Sequence, residues 1–138
     1  MTPGDLAALH ARAFADQRPW TASEFASLLA SPHTLLVTDP MGFVLGRVLA
    51  SEAEILTLAV DPAARRQGCA RRLLDAFLVQ SAHQAETAFL DVAADNAPAR
   101  ALYKAAGFAE TGRRKGYFAR KAGPAVDAIL MTRALPKS

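Results

Sequence analysis

Four arginines, one glycine and one cysteine fall within eight residues, Arg65-Arg66-Gln67-Gly68-Cys69-Ala70-Arg71-Arg72. The chemistry this composition suggests is anion capture. Upstream, Ile55, Leu56, Leu58 and Val60 form a near-continuous apolar run, as in a strand covered on both faces, and Asp61-Pro62 stops it. Downstream, Leu73, Leu74, Phe77 and Leu78 recur at helical spacing. The basic stretch is therefore a loop that opens a helix. The first turn of a helix has unpaired N–H groups and a dipole that favours negative charge. Gly68 lets a diphosphate approach the backbone, and the arginines add charge-assisted contacts. The loop lacks the three glycines of the dinucleotide fingerprint and the lysine and hydroxyl residue of the P-loop.

The rest of the chain supplies the elements that must hold this loop. Thr2-Pro3-Gly4-Asp5 starts a helix with Leu6, Leu9, Ala13 and Phe14 on one face. After a break at Gln17 to Trp20, Thr21 or Ser23 caps a second helix carrying Phe25, Leu28 and Leu29, and Ser31-Pro32 ends it. Two strands, 33–38 and 43–50, flank a hairpin turn at Asp39-Pro40-Met41-Gly42. The central strand, loop and helix follow. Residues 87–92 read as a strand and 97–106 as a helix ended by Gly107. Residues 108–118 and 125–135 read as a closing antiparallel pair around Gly123-Pro124. The order α-α-β-β-β-α-β-α-β-β predicts an α+β mixed sheet with helices on both faces.

Composition narrows the function classes. The 138 residues suit one domain, 1–138, and 51% hydrophobic against 21% charged residues argues against disorder. No apolar run is long enough to span a bilayer, and the N-terminus lacks signal-peptide regions, so a cytoplasmic location without membrane association is expected. Cys69 is the single cysteine, so no internal disulfide or metal cluster is expected. A helix start and arginines could lower its thiol pKa, although a small residue filling a tight loop is the plainer reading. The net charge of +3 is concentrated at Arg65–Arg72 and again at Arg113, Arg114, Lys115, Arg120 and Lys121. Without a nucleic-acid motif or aromatic residues interleaved with the first cluster, a phosphate-rich cofactor explains that cluster better than specific nucleic-acid binding. His10, His33 and His83 show no ligand spacing and are assigned no role; no metal is expected.

The loop resembles the acetyl-CoA signature of the GNAT N-acetyltransferases, [Q/R]-x-x-G-x-[G/A], as Arg65-x-x-Gly68-x-Ala70. The preceding Leu58-Ala59-Val60-Asp61-Pro62 and the later Asn96-x-x-Ala99-x-x-Leu102-Tyr103-x-x-x-Gly107-Phe108 extend the resemblance over nearly the whole chain. It implies the GNAT fold, with a splay between two parallel strands, 54–60 and 88–92. The family's usual first strand is absent or vestigial here. Acetyl-CoA is the implied cofactor, held by Leu58, Ala59 and Val60 through backbone groups and by Arg65, Arg66, Gln67, Gly68, Cys69, Ala70 and Arg71 at the diphosphate. Asn96 bonds the pantetheine arm or caps its helix, and Ala99 keeps that helix slim.

The resemblance also assigns chemistry. Acetyl transfer needs a base for the amine, polarisation of the thioester carbonyl and a proton for the thiolate. Tyr103 matches the donor, its pKa near 10 suiting a thiolate of similar basicity. Glu54 matches the acid that serves as base in part of the family. Asp91 stands where RimI-type ribosomal-protein acetyltransferases carry glutamate, its shorter side chain calling for a bridging water. Glu54 is the first choice and Asp91 the second. Pro19-Trp20, Gly112 to Phe118 and Asp127 to Met131 resemble the RimI type, with Trp20 and Tyr117 as substrate-binding candidates. The implied function is direct transfer of acetyl to a protein's N-terminal amine, such as that of a ribosomal protein. Acetylation of a small amine or a lysine, or a non-catalytic CoA-binding module, are the alternatives.

Overall fold

Two capping boxes fix how the chain starts. Thr2 accepts from the Asp5 N–H while Asp5 accepts from the Thr2 N–H, and Thr21 and Glu24 repeat the exchange. Each box satisfies two of the four N–H groups that a helix start leaves unpaired. In this computed structural model, which describes residues 1–136, the boxes open α1 (Pro3–Ala13) and α2 (Ala22–Ala30). Then come β1 (Thr34–Asp39), β2 (Gly42–Leu49), β3 (Glu52–Val60), α3 (Cys69–Ser81), β4 (Thr87–Ala93), α4 (Ala97–Ala105), β5 (Ala109–Phe118) and β6 (Val126–Ala134). A single 3-10 turn, Pro62–Ala64, separates β3 from the basic loop. The predicted order holds, with boundaries moved by a residue or two.

The six strands form one mixed sheet in the order β1-β2-β3-β4-β6-β5. Only β3 and β4 run parallel. Leu6, Leu9 and Phe25 of α1 and α2 pack with Phe43, Leu45 and Ala59 on one face. On the other, Leu73, Leu74 and Phe77 of α3 and Tyr103 of α4 pack with Val44, Ala53, Ile55, Leu90 and Met131. Helices therefore cover both faces, as the element order predicts. Among the described residues α1 is the first element, and β1 is an edge of the sheet without a further strand beside it.

A bulge in β3 sets up the site. Leu45 pairs with Thr57 but Gly46 pairs with Ile55, so Leu56 is an extra residue. Side chains change parity across it. Ala53 and Ile55 face α3 before the bulge, Leu58 and Val60 face it afterwards, and Leu56 and Ala59 face α1. Gly46 permits the close approach: a Cβ there would overlap the Glu54 carbonyl and the Phe77 ring. Just past this point the parallel pairing ends. β3 and β4 are in register only for Glu52–Glu54 with Thr87–Phe89, whereas β4 stays paired with β6 along Thr87–Ala93. The C-terminal half of β3 thus diverges from β4 and leaves a cleft between them.

Candidate functional site

The basic loop leaves a helix start open. Arg66 (φ 65°) and Gly68 (φ 76°) both take left-handed backbone conformations, and Gly68 stands at the N-cap of α3. No side chain caps that helix start and no acidic residue occupies its first turn, in contrast to the capping boxes of α1 and α2. Arg65 donates to the Ala13 carbonyl at 3.1 Å, and Arg72 donates to the Gln67 carbonyl at 2.8 Å, so the two arginines tie the loop to α1 and to itself. Arg71 pairs with Asp75 one turn on, at 2.9 Å.

From this loop a cleft of about 770 Å³ runs between β3 and α4, lined by Leu58, Val60, Arg65, Arg66, Gly68, Cys69, Ala70 and Arg71 and by Asn96 and Ala99 opposite. A second cavity of about 200 Å³ continues it, lined by His10, Trp20, Thr57, Asp91 and Phe118 among others. The two share Phe14, Leu58, Asn96, Ala99 and Tyr103 as walls. Tyr103 stands at their junction, 6% exposed, its ring edge-on to Phe108 at 5.7 Å. Burial raises its phenol above the ordinary value, so it keeps its proton.

Two carboxylates lie on the α1 side of β3 and β4, and they differ. Glu54 accepts from Arg47 on β2 at 2.9 and 2.7 Å and lines neither cavity. Asp91 lines the smaller cavity, with its side chain 13% exposed. Its Oδ1 is buried with no hydrogen-bond partner; the Arg114 Nε at 3.4 Å supplies charge without hydrogen-bond geometry. Burial raises the Asp91 pKa, Arg114 lowers it, and Glu54 adds a raising contribution.

The remaining sequence-predicted residues take the following places. Cys69 is 3% exposed, and burial raises its thiol pKa instead of the arginines lowering it; it is an inert packing residue at the cleft wall. The Ala59 side chain faces α1, so only its backbone belongs to β3's cleft-side strand. Gln67 lies in the loop but off the cleft wall, its carbonyl engaged by Arg72. Asn96 caps α4, its Oδ1 accepting from the Ala99 N–H at 3.2 Å, and it lines both cavities as well. Tyr117 is 51% exposed, under the Arg114 guanidinium at 5.3 Å, and it is its neighbour Phe118 that reaches the cavity.

Sequence reasoning missed His10. It is 2% exposed, stacked on Trp20 at 4.8 Å and beside Phe14 at 4.7 Å and Phe25 at 5.8 Å, and it lines the smaller cavity. Its Nδ1 is enclosed without a hydrogen-bond partner. Burial first, and Arg18 second, push its pKa down to about 4 against an opposing contribution from Glu24, so the ring is neutral at pH 7. The available signal was its position: Leu6, His10 and Phe14 follow at intervals of four, which puts one polar residue in an apolar stripe.

Comparison with known proteins agrees with this geometry. A family model, the acetyltransferase (GNAT) family, matches residues 5–108. The N-alpha-acetyltransferase RimI of Mycobacterium tuberculosis (strain ATCC 25618 / H37Rv) is 36% identical over 121 residues, 81% of this chain and 75% of that protein. The [ribosomal protein bS18]-alanine N-acetyltransferase of Escherichia coli (strain K12) is 35% identical over 137 residues, 96% of this chain and 90% of that one. The crystal structure of the ribosomal-protein-S18-alanine N-acetyltransferase from Escherichia coli superposes with a TM-score of 0.84 at 31% identity, covering 96% of this chain and 86% of that one. The chain belongs to the GNAT acetyltransferase family and is an N-acetyltransferase. Among the described residues no helix is long and apolar enough to cross a membrane.

Proposed function

We propose that this GNAT N-acetyltransferase moves acetyl from acetyl-CoA to the N-terminal α-amine of a protein, such as a ribosomal protein, in a single domain acting in the cytoplasm. The observation that carries the reading is the pair of cavities that meet at Tyr103. One cavity begins at an uncapped, arginine-flanked helix start, and the other holds a buried carboxylate. The relative from Escherichia coli is named for transfer to an alanine of ribosomal protein bS18, and the RimI of Mycobacterium tuberculosis for α-amine acetylation. Both names support the choice of acceptor.

The residues present fit acetyl-CoA. The α3 start, with Gly68 and Arg65, Arg66 and Arg71 around it, would hold the diphosphate, and the diverging edge of β3 at Leu58–Val60 would meet the pantetheine amides as an added strand would. When bound, acetyl-CoA supplies an acetyl thioester open to attack by an amine. Tyr103, neutral in its buried site, holds the proton that the leaving sulfur requires. Asp91 takes the amine's proton, through water where its short side chain falls short. Glu54, tied to Arg47, acts on Asp91 through its charge and is not the base in this reading. Phe118 and Trp20 wall the acceptor's place.

The test is an acetyl-CoA assay reading free CoA release against unblocked peptides of varied first residue, an internal-lysine peptide with a blocked N-terminus, and small amines. The expected best substrate is an unblocked peptide beginning with alanine. Preference for the blocked lysine peptide or a small amine would overturn the acceptor while leaving the acetyltransferase intact. Release of CoA with none of them would overturn the proposed acceptor classes together.

A further inference from the structure

A histidine in an apolar stripe is costly unless something pairs with it. His10 sits between Trp20, Phe14 and Phe25, is 2% exposed, and has an enclosed Nδ1 with no partner in the protein. An aliphatic or aromatic residue in its place would complete the packing of α1 against α2 at no such cost, because a buried nitrogen left unpaired destabilises while an apolar replacement of similar shape does not. The fold therefore gives no reason for an imidazole here. The cavity does. His10 lines it together with Asp91, whose Oδ1 is, among the side chains of the described residues, the other enclosed polar atom on this cavity's lining without a hydrogen bond. Two such atoms on one small cavity mark the place of a ligand with polar hydrogens.

We propose that His10 is a contact of the acceptor: its neutral imidazole accepts a hydrogen bond from an N–H of the incoming amine or its first peptide unit, in the cavity that Asp91 also lines. This rests on the assignment of that cavity to the acceptor. Neutrality is what the task needs. A charged imidazolium would repel an incoming ammonium, whereas the buried ring stays unprotonated well below pH 7. Its setting is otherwise aromatic, with the Arg18–Glu24 pair the charged groups that act on it and Asp91 on the wall of the same cavity. Division of labour follows. Asp91 receives the proton, and His10 orients the nitrogen without competing for it.

The experiment compares His10→Phe, which keeps the stack on Trp20, His10→Leu, should the larger ring overpack the helix, and His10→Asn, which restores a polar atom near the Nδ1 position. With the best peptide of the panel above, both apolar variants are expected to lose roughly 5- to 30-fold in kcat/KM for peptide, the worth of one hydrogen bond. KM for acetyl-CoA should stay within about twofold. At least one apolar variant should melt at or above the parent at pH 7, and His10→Asn should recover part of the activity. In parallel, the ring nitrogens of His10, followed by NMR in the CoA-saturated protein, should shift when peptide is added while those of His33 and His83 do not. A well-folded His10→Leu or His10→Phe with parental kcat/KM, or a His10 signal indifferent to peptide, overturns the proposal. If the parent acetylates no amine in the panel, the acceptor reading falls and this inference with it; if the parent turns over and the variants match it, only His10 is misassigned.

Discussion

Arg114→Ala tests which carboxylate takes the proton, because it reaches one of them alone. Arg114 Nε lies 3.4 Å from Asp91 Oδ1, while Glu54 pairs with Arg47 instead. At that separation the Coulomb attraction is about 1 kcal/mol in a water-like dielectric. Arg114 is 53% exposed, so the solvent-screened figure applies and the buried-pair value does not. Losing about 1 kcal/mol from the charged form raises the Asp91 pKa by up to about one unit. A base works deprotonated, so the limb of the kcat/KM profile that rises with pH should move to higher pH by up to that amount. The plateau rate should change little. Asp91→Asn should remove the limb and about 10²- to 10⁴-fold of activity, the usual range for general base catalysis. The assay is CoA release at saturating acetyl-CoA from pH 5 to 9 with an N-terminal peptide. A limb that ignores Arg114→Ala and Asp91→Asn but moves in Glu54→Gln would refute the reasoning and restore Glu54 as the base.

Four further outcomes follow from the geometry. Gly68→Glu places a carboxylate and a strained left-handed residue (φ 76° at Gly68) at the α3 start; calorimetry should find acetyl-CoA binding abolished in a folded protein destabilised by about 1 kcal/mol. Tyr103→Phe deletes only the hydroxyl at the cavity junction, so kcat should fall roughly 10²-fold with acetyl-CoA affinity nearly unchanged in a binding titration. Gly46→Ala drives a methyl into the Glu54 carbonyl and the Phe77 ring, and denaturant unfolding should show a loss of about 3 kcal/mol or collapse of the fold. For His10, a pKa of about 4 when folded, against about 6.5 unfolded, means the unfolded chain binds more protons between those values, so stability falls as pH drops from 6.5 to 4 by about 3 kcal/mol; urea titrations should show that loss missing from His10→Phe.

Hydrophobic periodicity and chemical stops made the element order legible, with the almost wholly exposed β5 the exception. Asp61-Pro62 ends β3, Asn96 caps α4, and Gly107 at φ 94° ends it while the Phe108 N–H returns to the Tyr103 carbonyl. The basic loop was legible for the same reason, since glycine and arginines mark a strand-to-helix switch. The lining of the smaller cavity was less so. Whether Tyr117 or Phe118 faces the cavity is a matter of strand parity, and β5 slips its register against β6 between Arg114 and Phe118. That slip comes from pairing across the sheet and leaves no local mark. The sequence ranks Glu54 ahead of Asp91, whereas the proposed function favours Asp91, because what separates them is a cross-strand arginine on β2 for one and a cavity wall for the other. His10 carries no ligand spacing; its signal is that of a polar residue in an apolar stripe.

The bulge at Leu56 joins the two halves of this site. Without the extra residue, β3 would keep one parity, and the side chains that face α3 at Ala53 and Ile55 would be followed by Thr57 and Ala59. With it, Leu58 and Val60 turn to the α3 and α4 side and become walls of the larger cleft, while Leu56 and Thr57 line the smaller one. The added local twist comes where the parallel pairing with β4 stops, after Glu54 and Phe89. Gly46 on β2, beside the bulge, leaves room for the Glu54 carbonyl and the Phe77 ring. In our reading the opened edge of β3 carries backbone groups that want a partner, and a cofactor rich in amides completes the sheet that the bulge interrupts. In the same reading binding and chemistry meet at Tyr103, one of the five residues that line both cavities.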